Sequence, residues 1–161
     1  MSESQEWVRI EREFDAPIET VWQMWTDADL FASWYGPMGF AVPVAEIDLT
    51  VGGTRKICME MNTPERTMQM WFTGVFKEIT APRRLTYTEA MCDAEGTLLS
   101  PKDMGMPEGT PDITEVIVDL AETDSGTRMT MIHKGVPAGS AGEGGWMQAF
   151  DKLAARLSDA G

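Results

Sequence analysis

The chain has 161 residues, 43% of them hydrophobic and 24% charged, which excludes a disordered or membrane-embedded protein and suits one domain, residues 1–161, with a core of its own. Twenty-six acidic residues against thirteen basic ones leave a net charge of −13, a balance that repels phosphate backbones and anionic lipid surfaces. Neither nucleic acid nor a membrane is therefore an expected partner.

The first residues, MSESQEWVRIERE, carry no basic or apolar leader, and no apolar run is long enough to cross a bilayer, so a cytoplasmic location is expected. Cys58 and Cys92 lack CxxC spacing and read as free thiols in a reducing compartment. With one histidine in the chain, no metal site is expected, and no motif calls for a cofactor. Thirteen methionines are the unusual count, because Met is unbranched and fills irregular cores or pockets.

Trp7 to Phe14 alternates, with Val8, Ile10 and Phe14 on one side, and predicts a first strand. Asp15 is the expected cap of a short helix with Pro17 in its first turn and Ile18, Val21, Trp22 and Trp25 on its apolar face. Thr26 with Asp29 repeats the capping signal and opens a second short helix carrying Leu30, Phe31 and Trp34, closed by Gly36-Pro37. From Ala41 the period becomes two. Residues 41–49, 54–61, 67–79, 85–91, 113–120 and 127–134 are six candidate strands, joined by short Gly, Pro and Asn turns that imply antiparallel hairpins. The connection from Cys92 to Asp112 is too long for a tight turn and reads as a flap or an ordered loop over a cavity mouth.

Alternation assigns inward faces to Ile57, Met59 and Met61, to Met68, Met70, Phe72 and Phe76, and to Leu85, Tyr87, Glu89 and Met91. Val116, Val118 and Leu120, and then Met129, Met131 and His133, continue the series. Over the last twenty residues Trp146, Met147, Phe150, Leu153, Ala154 and Leu157 form one stripe at the helical period, with Gln148, Asp151, Lys152, Arg156 and Asp159 opposite. Ser140 and Glu143 stand at capping-box spacing, which places the helix start near Ala141. A stripe this wide needs an apolar surface, and the strands supply it.

Two motif look-alikes fail. Gly142-Glu143-Gly144 has Met147 where a dinucleotide loop needs its third glycine, and no strand follows it. Ser140 lacks a histidine after it in the chain, as a serine-hydrolase elbow requires. Glu89, Tyr87 and His133 remain as polar groups on otherwise apolar faces, either satisfied by neighbours or serving a site.

Four runs together resemble the START-like (SRPBCC) superfamily: FDAPIETVWQMWTDADLFASWYGP, EIDLTVGGT, GVFKEITAPRRLTYTEA and TRMTMIHKGVPAGSAGEGGWMQAFDKLAARL. The branch most similar is that of the C-terminal domain of the activator of heat-shock protein 90 ATPase. The resemblance implies an α+β helix-grip fold: a curved seven-stranded antiparallel sheet around a long C-terminal helix, with two short helices after the first strand and a cavity between.

It also implies a hydrophobic or aromatic small-molecule ligand. The expected lining is Trp34, Met59, Met70, Phe72, Tyr87, Glu89, Met91, Val118, Met131, His133, Trp146 and Phe150. The alternative is a cyclase- or hydrolase-like enzyme using Glu89 or His133 as acid or base on an aromatic or polyketide-like substrate in the same cavity, with no catalytic residue assigned. A chaperone ATPase co-regulator is the third reading. A chaperone partner is not expected for a chain that resembles only that domain, and a homodimer stays open.

Overall fold

The computed structural model describes residues 7–99 and 113–160. Strand β1 (Trp7–Phe14) is followed by helices α1 (Ile18–Thr26) and α2 (Ala28–Ala32). Then come β2 (Ala41–Ile47), β3 (Thr54–Asn62), β4 (Thr67–Thr80), β5 (Arg84–Cys92), β6 (Thr114–Glu122) and β7 (Thr127–Pro137), and finally α3 (Ala141–Ala160). The strands form one antiparallel sheet in the order β1-β7-β6-β5-β4-β3-β2. Every pairing from β2 to β7 joins sequence neighbours, through short connections except the long one between β5 and β6, and only β1 crosses the sheet to lie beside β7. The helix-grip architecture implied by the resemblance is the one observed.

Helix α3 lies against the face that alternation turned inward. Trp146, Phe150, Leu153 and Leu157 are buried there together with Leu85, Val116, Val118, Met129 and Met131 from the strands. Burying a side chain such as Phe150 or Leu153, both fully covered, contributes about 1.5–3 kcal/mol, so this stripe is the largest single source of cohesion between helix and sheet. Thr86, expected on the outer face, is buried as well.

Three caps fall one or two residues from their expected places. Pro17 rather than Asp15 precedes α1, with its carbonyl accepting from Thr20 and Val21 and no side-chain cap. Asp27 rather than Thr26 caps α2. Its carboxylate accepts from the Leu30 N–H at 3.1 Å, while Thr26 donates back to the Trp22 carbonyl at 3.0 Å and so closes α1. At α3, Glu143 reaches back as a capping box requires but accepts from the Gly139 N–H at 2.8 Å, and Ser140 donates to the Pro137 carbonyl instead of capping the helix. Trp34 lies beyond the end of α2, with its indole N–H on the Met24 carbonyl at 2.9 Å.

Gln148 and Lys152, expected on the solvent face of α3, hold the loop that follows α2. Gln148 accepts from the Met38 N–H at 2.9 Å, and the Lys152 ammonium donates to the carbonyls of Tyr35 at 3.2 Å and Pro37 at 3.4 Å. Cys58 and Cys92 are buried free thiols. Each is cross-strand to Trp71, one on either side, so a whole strand separates them. Most of the long connection after β5, residues 100–112, lies outside the described residues; the part that is described turns at Asp93 and returns Leu98 to bridge with Cys92.

Candidate functional site

Five polar or charged residues are buried among those described, and three of them, Arg55, Glu89 and His133, meet on the concave face beneath the start of α3. Their strands are β3, β5 and β7. Arg55 can reach Glu89 because the residue opposite it in β4 is Gly74, which puts no side chain in the way. A Cβ at Gly74 would also meet the Thr88 carbonyl oxygen at 1.7 Å, so only glycine lets the two strands approach here. The guanidinium crosses above this gap and lies 3.8 Å from the Tyr87 ring centroid, with Phe31 of α2 at 5.2 Å on another side. Its Nη1 stands 3.8 Å from Glu89 Oε2. The Tyr35 hydroxyl donates to the same carboxylate oxygen at 3.3 Å.

His133 is held in one tautomer by an unbroken chain of hydrogen bonds. The Trp146 indole N–H, which can only donate, lies 3.0 Å from Nδ1, so Nδ1 accepts and Nε2 carries the proton. Nε2 stands 2.8 Å from the Thr114 hydroxyl, which passes its own proton to the Glu89 carbonyl at 3.2 Å. Protonating Nδ1 would set two donors against each other. Burial pushes the His133 pKa down, and it outweighs the Glu89 carboxylate, 3.7 Å from Nε2, which pulls it up. Burial also raises the phenol pKa values of Tyr35 and Tyr87, with Glu89 adding to both, so each remains an O–H donor.

Two groups in this cluster lack a partner. Arg55 Nη1 and the Tyr87 hydroxyl make no hydrogen bond among the described residues, and nor does the Trp25 indole N–H in the neighbouring aromatic block. A buried donor left unpaired costs about 1–3 kcal/mol, and more when it is charged.

The expected lining divides into three parts. Tyr87, Glu89, His133 and Trp146 come together with Arg55, Tyr35 and Thr114, which sequence reading had not singled out. Trp34 and Phe150 pack with Trp25 and Phe31 at centroid separations of 5.0 to 6.2 Å. Met59, Met70, Phe72 and Met91 are cross-strand neighbours in β3, β4 and β5, while Val118 and Met131 pair in the sheet floor. The best-defined concavities among the described residues lie elsewhere. One, of about 310 Å³, is lined by Asp15, Pro17, Ile18 and Glu122; the other, of about 330 Å³, is lined by Trp7, Lys77, Thr88, Thr114 and Lys134.

No group of three or more His, Cys, Asp or Glu among the described residues could hold a metal ion. No helix among them is long and apolar enough to cross a membrane.

Comparison with known proteins agrees with this architecture. The model of the family described as "Activator of Hsp90 ATPase homolog 1-like protein" matches residues 15–158. A crystal structure of a protein from Nitrosomonas europaea is similar, with a TM-score of 0.75 at 22% identity over 99% of this chain and 98% of that one. One from Chromobacterium violaceum gives 0.74 at 26% identity over 93% and 95%. The protein described as AHSA1 from Silicibacter pomeroyi gives 0.73 at 22% identity over 96% and 99%. No curated protein sequence matches.

Proposed function

The chain belongs to the family of Activator of Hsp90 ATPase homolog 1-like proteins, and on that premise we propose that it is a small-molecule binding protein whose ligand sits between the sheet and the start of α3. The observation that carries this reading is the buried Arg55–Glu89–His133 cluster with its two unpaired donors, Arg55 Nη1 and the Tyr87 hydroxyl. Apolar residues of similar volume at a buried ion pair are often as stable or more stable, so stability alone does not call for the cluster. A ligand that meets the open donors does. The aromatic walls, Phe31, Tyr35, Trp146 and Phe150, supply the apolar contact such a ligand needs.

Access requires movement, because Arg55, Glu89 and His133 are all buried. The first turns of α3 suit it: they contain Gly142, Gly144 and Gly145, each lowering helix stability by about 1 kcal/mol relative to Ala. Opening there withdraws Trp146 from His133 and uncovers the cluster. In the enzyme alternative His133 is not placed to act as the base, because both its ring nitrogens are already engaged and leave no free lone pair.

Nitrogen-15 NMR during titration with 2-acetylnaphthalene tests the proposal. The His133 ring and Trp146 indole resonances are expected to move together and saturably. Resonances that ignore the probe while it binds elsewhere would remove this cluster from the site.

A further inference from the structure

Histidine, thiolate and carboxylate are not the only metal donors a chain can offer, and the high methionine count supplies another, the thioether. Four of the thirteen methionines stand together on the hairpin of β3 and β4. Met59 lies directly opposite Met70, and Met61 directly opposite Met68, so Met59-Glu60-Met61 in one strand faces Met68-Gln69-Met70 in the other. Residues opposite each other across a ladder share a face of the sheet, as do residues two apart along a strand. The four side chains therefore leave one face from the corners of a rectangle, about 5 Å across the strands and about 7 Å along them. Each sulfur is two bonds beyond its Cβ on a flexible stem, and all four can swing toward the centre.

The hairpin sorts its donors by face. Glu60 and Gln69, on the opposite side, hydrogen-bond to each other at 2.8 Å, and Cys58 follows Glu60 there, paired with Trp71. The next pair on the methionine side is Ile57 with Phe72, which adds no polar atom. Exposure rises toward the turn: Met59 is 6% exposed and packs in the core, while Met68 is 37% exposed, so an ion from solvent meets the outer pair first. The loop after α2 borders the site with glycine. A Cβ at Gly36 would stand 3.0 Å from Met59 Sδ, and one at Gly39 would stand 3.4 Å from the Met61 methyl. Both glycines have a positive φ that the turn itself requires, and as a consequence neither places a side chain against these thioethers.

Apolar filling does not ask for methionine here. A half-exposed strand face suits β-branched and aromatic residues better, and Leu or Ile carries comparable apolar area. What methionine adds is a polarizable sulfur. Thioethers are neutral, soft donors that select Cu(I), whereas Ca(II) and Mg(II) require oxygen and Zn(II) takes thiolate, imidazole or carboxylate. The net charge of −13 draws cations toward the protein.

We propose that Met59, Met61, Met68 and Met70 form a site for a soft monovalent cation, Cu(I), held by three or four thioether sulfurs. It shares no residue with the Arg55–Glu89–His133 cluster, so its failure would leave the reading of that cluster standing.

Ag(I), which has the same charge and no redox chemistry in water, is the first probe, followed by carbon-13 NMR of the methionine methyls in the full chain. The methyls of Met59, Met61, Met68 and Met70 are expected to move together and to saturate at one equivalent, while those of Met24, Met129 and Met131, buried elsewhere, stay in place. Cu(I) kept reduced by ascorbate should move the same set, and Ca(II) and Zn(II) should move none of it. Met61→Leu with Met68→Leu keeps the apolar volume and should weaken Ag(I) by more than the roughly tenfold to hundredfold that a supporting residue contributes at a metal site. Met68→Leu alone, at the exposed corner, should weaken it by at least about tenfold. Ag(I) that shifts Cys58 and Cys92 but leaves the four methyls unmoved would be thiol-bound, and the proposal would fall. Methyls that answer Zn(II) as readily as Ag(I), or a double variant with the parent's affinity, would overturn it equally.

Discussion

The concave face of the sheet meets the helices in two blocks that are equally buried and chemically opposite. In one, Trp25, Phe31, Trp34 and Phe150 pack ring against ring at 5.0 to 6.2 Å, and the indole N–H of Trp34 is satisfied by a backbone carbonyl. In the other, a guanidinium, a carboxylate and an imidazole share a space from which water is removed, with Trp146 touching both blocks. The first block is explained by the area it buries. The second buries ionic groups at a desolvation cost that apolar residues of similar volume would avoid, so packing alone does not account for it. A buried residue is thus accounted for by packing only when removing its polar groups would weaken the protein.

Single truncations should hurt both blocks alike. Phe150→Ala leaves a cavity in the best-packed stripe and is expected to cost about 3–5 kcal/mol. Glu89→Ala leaves Arg55 buried without its countercharge and is expected to cost about the same. Chemical denaturation midpoints measure both, and an unchanged midpoint for Glu89→Ala would mean that Arg55 reaches water once the carboxylate is gone.

A pH series distinguishes the blocks, because only one contains a titrating group. The folded-state pKa of His133 is lowered below its unfolded value of 6.5, so the unfolded chain binds the proton first. Stability from this residue is therefore complete above about pH 6.5 and is lost as pH falls from there toward the folded pKa. His133→Phe should remove that slope while Phe150→Ala keeps it. Persistence of the full slope in His133→Phe would assign it to the carboxylates.

Much of this was legible in the chain. Strand alternation located seven strands and most of their inward faces, because one side of the sheet is wet and the other is covered, but Met68, placed inward, is exposed near the start of β4. The period of two also placed Arg55 inward, two positions before Ile57, yet a reading that follows apolar residues passes over a charge at that spot. Tyr35 lies in the turn after α2 and Thr114 opens β6 beside the long connection, where no periodicity reports a face. The helical wheel put Gln148 and Lys152 in solvent, but the loop at 35–38 folds onto that flank of α3. Contacts between elements distant in sequence are tertiary facts that no local period contains.

The smallest effect concerns the glycine-rich start of α3. Gly144 is exposed and a Cβ there would meet nothing within 4 Å, so Gly144→Ala should stabilise the protein by about 0.5–1 kcal/mol through helix propensity. On the proposed route through these turns, the same change should slow probe association in stopped-flow fluorescence. Faster association would show that the ligand enters by another route.

The most direct measurement compares stability and 2-acetylnaphthalene affinity in Arg55→Met/Glu89→Met, which turns the polar block into a copy of the aromatic one. If the cluster exists for a ligand, the double variant is as stable as the parent or more so, by up to about 4 kcal/mol, and it loses the probe. A double variant that binds 2-acetylnaphthalene as tightly as the parent, or that loses several kcal/mol of stability, would contradict the account and return the cluster to the fold.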